Sequence, residues 1–353
     1  MNKRLLISLI LCGFVTTMVS AQDPHFSQFW ASPLLVNPAL TGTGDGNYRV
    51  STIYRDQWRS AIDEPFKTYN LNADFNFEIS PRTTSNPDRF GIGLSIFADR
   101  VGTFDLNTTS IALFGAYHKA LNKNNNSFLS GGIYLGIGQK NVNYEDLTFE
   151  DQFNAINGYT LPTGEFLPVN NFGYADLGIG IHYSMSPSKT THLYAGLGVF
   201  HANKPNISFY KSDESPNQDL IRSNPLERKY SIYSGVSLST NEKWSVQPRV
   251  LALIQNNHTE INVGNNFRYL LDFDNSRYFH IGPWLRMTDS VDGFSLESIV
   301  LSAGFQMGRM LLGLSYDHNL KDLTGDRAGL SAFEISLNYT GDFDNAEDYC
   351  PQF

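Results

Sequence analysis

The sequence has little cysteine and no long hydrophobic run beyond its N-terminal stretch. Of the two cysteines, Cys12 lies within that stretch, so an exported chain that loses it would keep only Cys350. A single cysteine excludes an intramolecular disulfide. Beyond residue 21 nothing approaches the ~20 consecutive apolar residues that a membrane-spanning helix requires. The sequence therefore fits neither a disulfide-stapled scaffold nor a helical membrane protein.

Signatures of catalysis and of nucleic-acid binding are also missing. The chain has 26 Lys and Arg against 35 Asp and Glu, with no basic cluster, so nothing supports nucleic-acid binding. It contains no P-loop, His-Glu-x-x-His, Cys-x-x-Cys or Gly-x-Ser-x-Gly motif. The eight histidines lack metal-ligand spacing. We therefore expect no enzyme activity, no catalytic or metal-binding residue and no cofactor.

The N-terminus has the composition of a secretory signal. Met1-Asn-Lys-Arg4 is basic, residues 5–19 are apolar, and Val19-Ser-Ala21 is a small-x-small cleavage site. We predict that residues 1–21 are a signal peptide cut before Gln22. The mature protein is then exported.

Apolar residues alternate with small or polar residues along most of the chain. In Arg89-Phe-Gly-Ile-Gly-Leu-Ser-Ile-Phe97, apolar residues occupy every second position and small residues fill the other face. The same pattern, without helical crossovers, predicts about fourteen strands near residues 47–59, 65–80, 89–100, 103–120, 127–140, 171–186, 191–201, 228–239, 243–255, 258–270, 276–287, 294–307, 310–319 and 331–340. A sheet that is apolar on one side and closed on itself indicates a lipid-facing barrel.

The connections support one topology for this barrel. Alternate connections are short, whereas the other set includes the long stretches 141–170, 202–227 and 320–330. Outer-membrane barrels have short periplasmic turns and longer external loops. We therefore predict an all-β, antiparallel, up-and-down transmembrane barrel over residues 47–340, in the outer membrane of a Gram-negative bacterium. Both termini are expected in the periplasm.

The face opposite the apolar one predicts a polar interior. Its members are Asp176, His182, Glu260, Asn262, Arg268, Trp284, Arg286, Asp317, Glu334 and Asn338. They could form an ion-pair network that fills the lumen or a constriction that selects solutes. The inward glycines leave room for a water-filled lumen.

Two segments flank the predicted barrel. Residues 22–46 carry seven large apolar side chains and almost no charge, and a free periplasmic tail would not expose so much apolar surface. This segment is expected to plug the barrel or to dock onto a partner. The tail 341–353 is acidic, and its carboxylates argue against a reactive Cys350 thiol. Whether Cys350 forms an intermolecular bond stays open.

Short motifs at both ends of the chain resemble the PorP/SprF family of Bacteroidota outer-membrane proteins, which is associated with type IX secretion and gliding. The motif residues include Asn37, Pro38, Ala39, Arg55, Trp58 and Cys350, within the segments 23–28, 37–42, 54–58, 315–319, 333–337 and 350–353. The resemblance implies a barrel that works with the type IX export machinery. It also implies a large, adhesin-like exported partner or contact with periplasmic ring components.

Our leading prediction is a non-enzymatic barrel that supports secretion or surface anchoring of such a partner. Aromatic rings bury large areas at little entropic cost, so aromatic residues in the long loops are candidate partner contacts. They are Phe149, Phe153, Tyr159, Phe166, Phe209 and Tyr210. The same rings could instead pack the loops into a lid. The alternatives are a structural component that docks the periplasmic type IX and gliding machinery, and a solute channel.

Overall fold

The computed structural model describes residues 23–44, 46–79, 88–102, 105–122, 126–145, 147–210, 223–273, 275–290, 293–320 and 330–343. The predicted signal peptide and Cys350 lie outside these ranges. Among the described residues no helix is long and apolar enough to cross a membrane.

Fourteen antiparallel strands close into one barrel, which confirms the predicted fold. Neighbouring strands follow chain order around the barrel, and β16 pairs with β1 to close it. A two-stranded hairpin, β6–β7, lies in a connecting loop and was not predicted. The strands are β1 Tyr48–Gln57, β2 Phe66–Glu78, β3 Arg89–Val101, β4 Leu106–Ala120, β5 Ser127–Asn141, β6 Phe153–Asn154, β7 Gly158–Tyr159, β8 Asn171–Ser188, β9 Thr191–Phe200, β10 Lys229–Ser239, β11 Trp244–Gln255, β12 His258–Asp272, β13 Arg277–Ser290, β14 Gly293–Met307, β15 Met310–Asn319 and β16 Ser331–Gly341.

The two ends of the barrel differ in their connections. At one end the strands are joined through residues 189–190, 240–243, 273–276 and 308–309, and we call this the short-turn end. At the opposite end, the long-loop end, residues 142–170 and 201–228 connect β5 to β8 and β9 to β10. The chain enters β1 and leaves β16 at the short-turn end, because Tyr48 pairs with Gly341.

Alternation in the sequence becomes an outer and an inner face. On β5 the outward side chains Ile133, Leu135 and Ile137 are exposed by 57, 57 and 72 %. Closing the sheet pairs every strand edge, as a membrane-spanning sheet requires. Aromatic rings collect near the strand ends, for example Tyr48 beside Tyr339 with ring centroids 6.1 Å apart. Such aromatic belts mark the two interfaces of a membrane barrel.

The hydrophobic core lies inside the barrel rather than behind the sheet. Residues of the N-terminal segment 23–44 form three short 3-10 turns, Phe29–Ala31, Pro33–Leu35 and Pro38–Leu40, and most of them are buried. Leu34 and Leu40 are fully buried. They pack against inward aromatic residues such as Phe114, Tyr134 and Tyr233. The segment and the inner wall of the barrel therefore share one core.

Candidate functional site: the occupied lumen and the long loops

The N-terminal segment crosses the lumen from one end to the other. At the long-loop end the backbone N–H of Asp23 donates to Gln255 Oε1 at 3.0 Å, where β11 ends. At the short-turn end Arg49, near the start of β1, donates to the Thr43 carbonyl at 2.9 Å. Asp74 pairs with Arg49 at 2.8 Å and accepts the Gly42 N–H at 2.7 Å. The chain therefore enters β1 only after it has passed through the barrel.

A buried charged cluster fixes the part of this segment that lies nearer the long-loop end. We call this the upper part, and the part nearer the short-turn end the lower part. The Ser27 and Gln28 N–H groups donate to the two oxygens of Glu334, at 2.7 and 2.9 Å. Arg55 bonds Glu334 at 2.5 Å and Asp317 at 3.0 Å. Arg286 also bonds Asp317 at 3.0 Å and contacts the Ser27 hydroxyl. We name these four charged side chains, from β1, β13, β15 and β16, the charged cluster.

Seven of the ten predicted inward residues are buried, including His182, Glu260 and Trp284, whereas Asp176, Arg268 and Asn338 are half-buried. The alternation therefore assigned their face correctly. It could not show that the cluster binds backbone N–H groups of residues 27 and 28. The family-motif residue Arg55 lies within the cluster and is 3 % exposed.

Stacked aromatic rings lie next to the charged cluster. Trp30 of the segment stacks on Trp284 of β13, with ring centroids 4.6 Å apart. Phe29 meets the same Trp284 edge-on at 5.4 Å. Such pairs add stability beyond the apolar area that they bury.

Between the charged cluster and the Arg49–Asp74 pair, residues 37–39 of the segment are held by uncharged hydrogen bonds and close packing. Asn37 caps the last 3-10 turn by accepting the Ala39 N–H at 2.8 Å. Its amide also donates to the Ile181 carbonyl at 2.8 Å and to the Tyr233 hydroxyl at 3.1 Å. Pro38 occupies the first position of that turn, where its fixed φ and missing N–H are tolerated. The Asn-Pro-Ala motif therefore has a structural basis in the described chain.

Inward glycines follow the path of the segment. A Cβ on Gly91 would overlap the Thr41 carbonyl, and one on Gly132 would overlap the backbone of Pro38 and Ala39. A Cβ on Gly180 would overlap the Asn37 side chain. The sequence suggested that such glycines leave the lumen open. In the structure they allow another part of the chain to approach the wall.

A second polar cluster lies around His201 at the long-loop end. His201 contacts Asp23 at 2.5 Å and Asp176 at 2.8 Å, and Lys229 pairs with Asp23 at 2.9 Å. Burial alone would lower the pKa of His201, but the two carboxylates outweigh it and raise the pKa to about 9. Burial would raise the pKa of Asp23, yet Lys229 and His201 hold it well below its ordinary value. We call these four side chains the histidine cluster.

The loop aromatics occupy two different environments. Phe153 and Tyr159 belong to the β6–β7 hairpin, with ring centroids 5.2 Å apart, and are exposed by 56 and 55 %. Phe166 is exposed by 39 %. Phe209 instead packs edge-on against Phe172 of β8 at 4.9 Å. The remaining two, Phe149 and Tyr210, are half-buried.

Trp58 lies just beyond the end of β1, at the long-loop end. It has a positive φ of 66° and its ring is 4.9 Å from that of Phe66. It is not part of the charged cluster that contains Arg55, although both belong to one sequence motif. The described residues contain no group of three or more His, Cys, Asp or Glu side chains arranged to hold a metal ion.

A closed fourteen-stranded barrel with exposed apolar strands and an occupied lumen defines this chain as a membrane barrel of the outer-membrane type. The family model described as "Type IX secretion system membrane protein PorP/SprF" matches residues 18–339. The chain therefore belongs to the PorP/SprF family.

Solved structures share the fold at low sequence identity. The chain is similar to the Pseudomonas putida toluene transporter TodX, with 12 % identity over 92 % of this chain and 99 % of TodX, at a TM-score of 0.52. It is also similar to a deltaS2 mutant of the TodX monoaromatic hydrocarbon channel, with 12 % identity over 88 % of this chain and 93 % of the mutant, at a TM-score of 0.51. No curated protein sequence matches the chain. At this identity the solved structures support the barrel fold alone.

Proposed function

We propose that this protein is a non-enzymatic outer-membrane component of type IX secretion that holds an exported, adhesin-like protein at the cell surface. Membership of the PorP/SprF family supports a role in type IX secretion. The observation that carries the anchoring role is the exposed aromatic surface of the β6–β7 hairpin and its surrounding loop.

The exposed rings of Phe153, Tyr159 and Phe166 support the choice of the long-loop end as the binding face. Large rings exposed in pairs are costly in water and are enriched at the centres of protein interfaces. The loop around the hairpin is held by its own bonds, since Asp151 accepts the Thr163 hydroxyl at 3.0 Å. A preformed loop loses less entropy when a partner binds. If the short-turn end faces the periplasm, this surface faces outwards.

The occupied lumen favours binding over passage. Segment residues 26–43 cross the barrel interior and contact opposite walls, from Glu334 on β16 to Gly132 on β5. A polypeptide could not share that space without displacing the segment. We therefore assign the exported partner to the loops and not to the lumen.

The test is a paired substitution in cells that display the exported partner. Replacing both Phe153 and Tyr159 with Ser should reduce surface retention of the partner at least tenfold while barrel insertion is unchanged. The matched control is Phe209→Ser, because that ring packs on Phe172 instead of facing solvent. Unchanged retention in the double variant would remove the hairpin from the binding site.

The alternative of docking through segment 22–46 finds less support, since Leu34, Asn37, Ala39 and Leu40 are fully buried in the lumen. A role in holding periplasmic ring components would then use other surfaces at the short-turn end. A pull-down of ring proteins with the Phe153 and Tyr159 double variant separates the two roles. Loss of the partner with ring proteins retained supports anchoring.

A solute channel is the remaining alternative. The structural neighbours named as hydrocarbon channels and transporters share only the fold with this chain. Conductance of the purified full-length barrel in planar bilayers tests this role. Steady large currents with the segment intact would favour a channel over an anchor.

A further inference from the structure

A cavity of about 260 Å³ lies in the lumen between the upper part of the N-terminal segment and the walls formed by β3, β4, β5 and β11. The segment contributes Phe29 and Leu35 to its lining. The walls contribute Phe97, Leu106 and Leu251.

The inner wall is unusually apolar at this place. The inner faces of outer-membrane barrels are polar as a rule, and Ser95, Thr108 and Ser110 line this cavity beside the apolar side chains. Here Phe97, Leu106 and Leu253 face inwards but are only half-buried, because the segment covers this wall only in part. Apolar surface left in water is unfavourable in free energy. The wall would therefore gain stability from an apolar molecule that covers it.

Charged side chains at the upper rim of the cavity balance one another. Asp23, Asp99 and Asp176 stand beside Lys140, Lys229 and His201. Asp23 is already paired with both Lys229 and His201. A charged ligand would gain no net attraction from this rim, whereas an uncharged one would not disturb its pairs.

We propose that this cavity binds a small, uncharged, apolar molecule about as large as one aromatic ring or a short alkyl chain. An apolar protein cavity of about 150 Å³ is known to accommodate benzene, so the available volume suffices. The ring faces of Phe97 and Phe114 and the aliphatic side chains of Leu106 and Leu253 form the contact surface. This site is separate from the loop surface assigned to the exported partner.

Toluene is the probe, titrated by calorimetry into the full-length barrel in lipid nanodiscs. Ala112→Phe fills the cavity from β4, since Ala112 lines it. The matched control is Ala195→Phe, which adds the same ring to the exposed outer face of β9. We expect one saturable site per barrel in the native protein and in Ala195→Phe. Ala112→Phe should weaken toluene binding at least tenfold.

A second variant keeps the test decisive if Ala112→Phe fails to fold. Leu106→Asn makes the wall polar without filling the cavity and should also weaken toluene binding at least tenfold. Equal toluene uptake by the native protein and by the folded cavity variants would mean that toluene only partitions into lipid. That result would overturn the proposal.

Discussion

Two regions of the N-terminal segment are bound to the barrel wall by different kinds of contact. Around Ser27 and Gln28 the wall supplies charge, through Arg55, Glu334 and their neighbours. Around Asn37 to Thr41 the wall supplies space, through glycines that the backbone touches, and charge enters again only where Arg49 and Asp74 bind residues 40–43. The upper contact depends on the charges of the wall side chains. The lower contact depends on inward glycines, whose missing side chains leave room for the segment backbone.

The largest expected effect comes from breaking the charged cluster. Glu334→Ala would leave Arg55 with Asp317 as its remaining carboxylate partner, which Arg286 shares, and two backbone N–H groups without their acceptor. Removing one partner of a buried ion pair costs about 3–5 kcal/mol. We expect a matching fall in the free energy of unfolding in urea, and faster hydrogen exchange in residues 26–31.

Two variants control this prediction. Glu150→Ala removes an exposed loop carboxylate and should change neither measurement. Replacing both Arg55 and Glu334 with Met should cost less than Glu334→Ala alone, because no charge is then left unmatched. A double variant that is less stable than the single variant would contradict this account of the cluster.

A smaller effect is expected where shape holds the segment. Gly132→Leu places a side chain where the backbone of Pro38 and Ala39 runs, and overpacking of this kind costs about 1–3 kcal/mol. We expect residues 37–44 to become accessible to added protease and the barrel to conduct ions. Gly131→Leu is the matched control. Gly131 is the neighbouring residue, and a Cβ on it meets nothing within 4 Å. Equal behaviour of the two variants would refute the role of the inner glycine.

The two regions also differ in how far they could be predicted. Period-two alternation specified the strands and their inner faces, because a strand has only two sides. It could not reveal that Glu334 binds Ser27, since that contact joins positions 307 residues apart. The sequence showed that glycines face inwards, but it did not show that the N-terminal segment packs against them. An empty inner face looks the same whether water or another segment lies against it.

The histidine cluster allows the upper region to be tested by pH. The His201 pKa is raised from 6.5 to about 9, so its stabilisation is complete below pH 6.5 and is lost as the pH rises through about 9. The Asp23 pKa is lowered from 3.8, so its stabilisation is complete above pH 3.8 and is lost only in stronger acid. We expect hydrogen exchange in residues 23–26, corrected for intrinsic rates, to rise between pH 7 and 9.5. His201→Gln should abolish that dependence, and its persistence in the variant would assign it to another group.

The smallest loss of stability is expected at the boundary between the two regions. Trp30 stacks on Trp284 between the charged cluster and the glycine contacts, and Trp30→Phe keeps an apolar ring while shortening the stack. Because aromatic pairs contribute about 0.5–1.5 kcal/mol beyond buried area, we expect a loss of at most that size in urea unfolding. Trp244→Phe is the control, since Trp244 lies on the exposed face and its ring is 4.7 Å from that of Tyr269. If Trp30→Phe loosens residues 26–31 but leaves 37–44 protected, the two contacts hold the segment independently. If both stretches loosen together, the segment is one cooperative unit and the division into charge and shape describes only its contacts.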